Sequence, residues 1–216
     1  MSPATTPISS SRSGERLFAL LCVLIGGMGQ GVVAPQLPRL LGSAGSLALE
    51  SGISATILYF GIFLATFFYG NWADRGKVHL LLGFGLVGYA GTLLAMSASP
   101  GLTTFYLLRF IEGLTLSAVF VSADYLLGKL SASDERGRWL SYFGVAISAG
   151  LLLGPLLVLG MPASFGDPMQ GVALAALACA VGTGAWIRVP RETSNTDERS
   201  GRSPSKSDAR DRKSVV

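Results

Sequence analysis

SATILYFGIFLATFFYGNWADRGKVHLLLGFGLVGYAGTLLAM, residues 54–96, decides the fold class. Residues 54–73 carry no charge over 20 positions, and residues 80–96 carry none over another 17. Both runs fall within the roughly 17–25 apolar residues a helix needs to cross the hydrocarbon of a bilayer. Asp74, Arg75 and Lys77 stand between them, with His79 opening the second run. The stretch reads as two membrane helices joined by a short polar link.

The same pattern continues on both sides. Spans are expected at Leu17–Val33, Ser54–Trp72, His79–Met96, Thr103–Leu127, Trp139–Leu159 and Gly171–Ile187. The links are short, so neighbours in sequence should run antiparallel. Only 14% of the 216 residues are charged and half are apolar, against about a quarter charged in a soluble domain. Charge is scarce because an isolated ion in hydrocarbon is costly. The expected organisation is a polar cytoplasmic segment over 1–16, an all-α membrane bundle of six helices over 17–189, and a disordered cytoplasmic tail over 190–216. The tail is rich in Ser, Arg and Asp and has no aromatic residue. No small-residue cleavage site follows the first apolar run, which is therefore expected to stay in the membrane.

The basic residues set the orientation. Arg12, Arg16, Arg75, Lys77, Lys129, Arg136, Arg138 and eight more between Arg188 and Lys213 fall on one side of the spans. Only Arg39 falls on the other, and Arg109 lies inside a span. The positive-inside rule puts both termini in the cytoplasm of a cell-membrane protein. The net charge of +4 is thus spent on the lipid surface. No aromatic residues are interleaved in a binding stripe, so nucleic acid is not an expected partner.

Five groups of residues could carry function. Gly70-Asn71-Trp72-Ala73-Asp74-Arg75-Gly76-Lys77 forms the link after the second span, where Gly70 should permit close helix approach. Arg109-Phe110-Ile111-Glu112-Gly113 puts an acid and a base one turn apart inside the fourth span, and intramembrane ionisable groups are functional candidates. Glu135-Arg136-Gly137 precedes a fifth span with Gly150, Gly154 and Pro155, a small-xxx-small contact followed by a proline that invites a kink. Gln30 is the one strongly polar side chain of the first span, which Pro35-Gln36-Leu37-Pro38 follows. Asp124 lies near the cytoplasmic end of the fourth span.

These motifs, in this order, resemble the N-terminal half of the major facilitator superfamily, in its drug-exporter-like branch. The link resembles the signature G-x-x-x-D-R-x-G-R/K, with Gly76 one place early. Arg109–Gly113 resembles R-x-x-Q/E-G of the fourth helix, and Gly150–Pro155 resembles G-x-x-x-G-P of the fifth. The resemblance covers about Leu17–Arg191. It implies two six-helix halves with a solute between them, and hence a missing C-terminal half or a second half-transporter as partner. It implies secondary active transport of a small organic solute across the bilayer, by proton-coupled efflux of the antiporter type, without a cofactor. In that scheme Glu112 carries the proton and Arg109 tunes it, while Gln30 contacts substrate. Gly70, Asp74, Arg75, Gly76 and Lys77 control conformational switching, with Asp124 paired to Arg75 or Lys77. Gly150, Gly154 and Pro155 serve packing and kinking. The closing Asp211–Val216 matches what a common sequencing adapter would encode, which implies a truncated fragment.

The alternatives are an intramembrane enzyme or a non-transporting scaffold or channel. An enzyme lacks its parts here. His79 is the only histidine, Cys22 and Cys179 lie far apart in separate apolar runs and read as packing residues, and no nucleophile elbow is visible. Neither a metal site nor a filter-like repeat is expected.

Overall fold

A computed structural model describes residues 9–41, 47–98, 101–160 and 166–186. The helices are α1 (Ser9–Leu41), α2 (Leu47–Trp72), α3 (Val78–Ser97), α4 (Leu102–Leu130), α5 (Arg136–Gly160) and α6 (Pro168–Trp186). The tail expected to be disordered, 190–216, lies outside the described residues. Among those described, the structure is helical, with no strand. By length and apolar composition four continuous helical runs can cross a membrane: Ser13–Pro38, Ala48–Ser97, Leu102–Leu130 and Arg136–Gly160. The apolar part of α6, Pro168–Gly184, is shorter.

The second of those runs is 50 residues long, about 75 Å if straight, far more than one crossing. It is broken by a π-helical turn over Ala73–Lys77, in which Gly76 takes φ 73° and ψ 13°. A left-handed backbone there is cheap only for glycine, and it separates α2 from α3. Contacts to α4 give the two helices opposite senses. On α2, Ser54 meets Arg109 and Thr66 meets Ser117, so α2 and α4 run parallel. On α3, a Cβ at Gly85 would sit 2.9 Å from that of Ala118, and one at Gly88 would strike the Thr115 methyl at 2.5 Å, so α3 runs antiparallel to α4. The same reasoning sets the rest. α1 opposes α4, through Arg16 to the Leu130 carbonyl and Gln30 to Glu112. α1 runs with α5, through Gly27 against Ile147 and Gly31 against Leu151. α6 opposes α3, with Thr183 beside Gly83 and Gln170 bonded to Ser97. Direction therefore alternates along the chain.

α4 and α1 are central. α2 flanks α4, α5 flanks α1, and α3 and α6 cover them from one side. Hydrophobic drive is weak between helices in lipid, so packing rests on close approach at small residues. At the α1–α5 crossing a Cβ on Gly31 would stand 2.6 Å from the Leu151 carbonyl, and one on Gly154 would meet the Met28 carbonyl at 2.5 Å. At the α2–α4 crossing a Cβ on Gly61 would stand 2.7 Å from the Phe110 carbonyl. The outer faces stay apolar. Tyr59, Phe63 and Phe67 of α2 and Leu152, Leu156 and Leu159 of α5 are exposed, a distribution suited to lipid rather than water.

Helix ends differ from the expected spans. α1 begins at Ser9, so part of the expected N-terminal polar segment is helical, and it continues through Pro35 and Pro38 to Leu41. α5 likewise runs unbroken through Pro155. α6 starts on a capping acid: the Asp167 carboxylate accepts the Met169 N–H at 3.0 Å and the Gln36 amide at 3.3 Å, with Pro168 at the first helical position.

Candidate functional site

Glu112 lies ten residues into α4, about 15 Å along its axis, and is fully buried, at 0% exposure. A buried carboxylate is tolerable only when its oxygens find donors, and both do. Arg109 Nη1 donates to Glu112 Oε2 at 2.7 Å, one turn away on the same helix. Gln30 Nε2, from α1, donates to Glu112 Oε1 at 2.7 Å. The guanidinium continues the chain, since Arg109 Nε donates to Ser54 Oγ of α2 at 3.0 Å. Gln30, Glu112, Arg109 and Ser54 thus form one polar chain across α1, α4 and α2, inside a bundle whose surroundings are apolar. Arg109 is itself buried, at 6% exposure.

A neighbouring contact shapes α1 beside this chain. The Tyr89 hydroxyl of α3 donates to the Gly26 carbonyl at 2.8 Å. Gly29 has to be a glycine, because a Cβ there would collide with the Tyr89 hydroxyl. α1 can therefore lie close to α3 at the turn that delivers Gln30.

The signature link lies at the surface of the bundle. Asp74, Arg75, Gly76 and Lys77 are all exposed. Among the described residues nothing stands within 4 Å of where a Gly70 Cβ would be, whereas Gly61 and Gly113 meet closely further into the bundle. Asp124 is exposed, and among the described residues no ion pair joins it to Arg75 or Lys77. Its neighbours Ser122, Ala123, Leu126 and Leu127 are buried.

Gly150 and Gly154 pack against α1, and Pro155 Cδ lies 2.9 Å from where a Gly31 Cβ would be. Sequence reasoning missed three groups. Ser54 carries no motif. Tyr89 is one aromatic residue among apolar ones. Arg16 read only as a flanking charge, yet it donates to the Leu130 carbonyl at 2.6 Å, pairs with Glu135 at 3.4 Å and lies over the Trp139 ring at 5.0 Å. Glu135 also pairs with Arg138 at 2.7 Å, so the start of α1 is tied to the link between α4 and α5.

Comparison with known proteins supplies a family. The family model described as Major Facilitator Superfamily matches residues 19–215, beyond the Arg191 limit of the motif resemblance. The tetracycline resistance protein, class B, of Escherichia coli is 29% identical over 149 residues, covering 65% of this chain and 35% of that protein. The multidrug resistance protein MdtG of Citrobacter koseri is 30% identical over 161 residues, covering 72% of this chain and 39% of that protein. The chain thus matches little more than a third of the length of these relatives.

Proposed function

The chain belongs to the major facilitator superfamily, a family of transporters rather than enzymes, and from that premise we propose that it is one half of a secondary active exporter. It supplies six membrane crossings equivalent to an N-terminal half, with both termini cytoplasmic. It works with a second six-helix body, and rocking of the two bodies gives alternating access to a solute held between them. The observation that carries this reading is the buried chain Gln30–Glu112–Arg109–Ser54. Charge at that depth is expensive, and a bundle that needed only to stand in lipid would do better with apolar side chains.

The proposed substrate is a small organic solute of the drug type. The relatives' names, tetracycline and multidrug resistance, favour that class. Export is coupled to inward proton movement, with Glu112 as the group that binds and releases the proton. Protonation would remove the charge that holds Arg109, and so loosen α4 from α2 at Ser54. Gln30 is bonded to Glu112, so its role passes from direct substrate contact to sensing the state of that acid. The exposed Asp74–Lys77 turn, left-handed at Gly76, controls switching rather than binding.

The test is reconstitution. In proteoliposomes the chain alone should give no saturable drug accumulation, whereas co-expression with the C-terminal half of the class B tetracycline relative should give proton-driven accumulation. Saturable transport by the chain alone would refute the need for a second body. No transport by any pairing with a C-terminal half would refute the exporter reading.

A further inference from the structure

Cys22 and Cys179 lie in different apolar runs of the sequence, yet the fold brings them together. α1 and α6 are antiparallel neighbours, and their register is fixed at two places. Near one end the Phe18 ring stands 3.0 Å from where a Gly182 Cβ would be. Near the other, Gln36 bonds Asp167 at the start of α6. One turn further along α1 from Phe18 is Cys22, and one turn back along α6 from Gly182 is Cys179. Both are free and buried, and both belong to the same apolar core. This register puts the two cysteines at one level on facing sides of α1 and α6, the placement from which the Cβ vectors of a disulfide can converge.

We propose that Cys22 and Cys179 form a redox-active dithiol that a membrane-soluble organic hydroperoxide converts to a disulfide, stapling α1 to α6 within the bundle. Cys179 reacts first, being 7% exposed where Cys22 is 0% exposed. Its sulfur attacks the terminal peroxide oxygen and the O–O bond breaks. The alkoxide leaves and takes the thiol proton to become the alcohol, and Cys179 becomes a sulfenic acid. The Cys22 sulfur then attacks the Cys179 sulfur. The S–S bond forms, the S–O bond breaks, and hydroxide leaves with the Cys22 proton as water. The two sulfurs lose two electrons and the peroxide gains them. The oxidant has to come through the bilayer, because both thiols are buried in the apolar core. A thiol in such surroundings is slow toward aqueous reagents. The second step needs no encounter between molecules, because Cys22 stands at the same level on the facing helix. This inference does not rest on the transport reading: it concerns the packing of two helices in this chain alone.

The experiment uses the purified full chain in phosphatidylcholine vesicles treated with cumene hydroperoxide. Thiols are counted after denaturation, with and without a reductant. Both should disappear together in a monomeric chain, return on reduction, and yield one linked peptide containing Cys22 and Cys179. In the Cys179→Ala/Ala178→Cys variant the thiol is turned by one residue to the exposed side of α6, and linkage to Cys22 should slow about tenfold or more for lack of convergent geometry. Val181→Cys, exposed on the opposite, outer face of α6, reports that the oxidant has entered the bilayer. Free thiols at positions 22 and 179 under conditions that oxidise Val181→Cys would overturn the proposal. So would links formed only between chains, or equally fast linkage from positions 178 and 179.

Discussion

At the scale of single residues, Glu112 and Arg109 are the pair on which the functional reading turns. If Glu112 carries protons, Glu112→Gln keeps its shape and one hydrogen-bond acceptor but removes the titration. In a full-length transporter that carries this half, the variant should lose gradient-driven transport, retain substrate binding and counterflow exchange, and flatten the pH dependence of the rate. An unchanged pH profile would leave Glu112 as a structural residue. Arg109→Ala removes both the guanidinium that meets Glu112 Oε2 and the donor to Ser54. It leaves a buried acid with Gln30 alone, and should cost about 3–5 kcal/mol. The loss is readable as a lowered detergent-denaturation midpoint, and Arg109→Ala/Glu112→Gln should recover part of it. The Arg109–Glu112 pair was legible in the sequence because an i,i+3 spacing on a helix fixes proximity by itself. Gln30 and Ser54 were not legible as its partners, because they reach it from other helices.

At the scale of elements, the α1–α5 crossing and the α2–α3 turn behave differently. Gly150 faces the Leu24 carbonyl and the Met28 amide across the crossing, and neither backbone can yield as a flexible side chain would. Gly150→Leu should therefore destabilise the bundle by about 1–3 kcal/mol or more through overpacking, whereas Gly144→Leu, which meets open space on the same helix, should be nearly neutral. Equal losses of thermal stability in the two variants would contradict the close-approach account. The turn Ala73–Lys77 is exposed apart from Ala73, so its charges have little packing to lose. In the full-length transporter, Asp74→Asn should lower turnover and leave substrate affinity unchanged; weakened affinity at a normal turnover rate would contradict a switching role. The glycine spacing of α5 was visible as a contact motif. Which helix it met was not, since a small-xxx-small pattern names a face and no partner.

At the scale of the whole molecule, alternating helix direction and the distribution of basic residues argue for one topology. Arg16, Arg75 and the Glu135–Arg138 segment lie at one end of the bundle, while Ser97, Gly101 and Asp167 lie at the other. With the basic end inside, Ser133→Cys, which is exposed, should react with a membrane-impermeant maleimide only after the cells are permeabilised. Gly101→Cys, also exposed, should react in intact cells. Labelling of Ser133→Cys from outside would invert the topology.

The sequence by itself determined that the chain is a membrane protein, roughly where its helices run, and which end of each carries the cations. Those properties are one-dimensional: hydrocarbon thickness sets the length of an uncharged run, and the cost of burying charge sets where it must stop. It also marked Gly76 as part of a turn and Glu112 as a buried acid. The tertiary structure alone decided which residues meet. Gln30 reaches Glu112 across 82 residues, Arg109 reaches Ser54 across 55, and Arg16 reaches Glu135 across 119. Cys22 and Cys179 come to one level by the same means, and no ion pair joins Asp124 to Arg75 or Lys77 among the described residues. Each of these depends on the rotation and axial register of one helix against another. Helices that are apolar nearly all round carry no stripe to announce either, so both are set by where small residues allow backbones to touch.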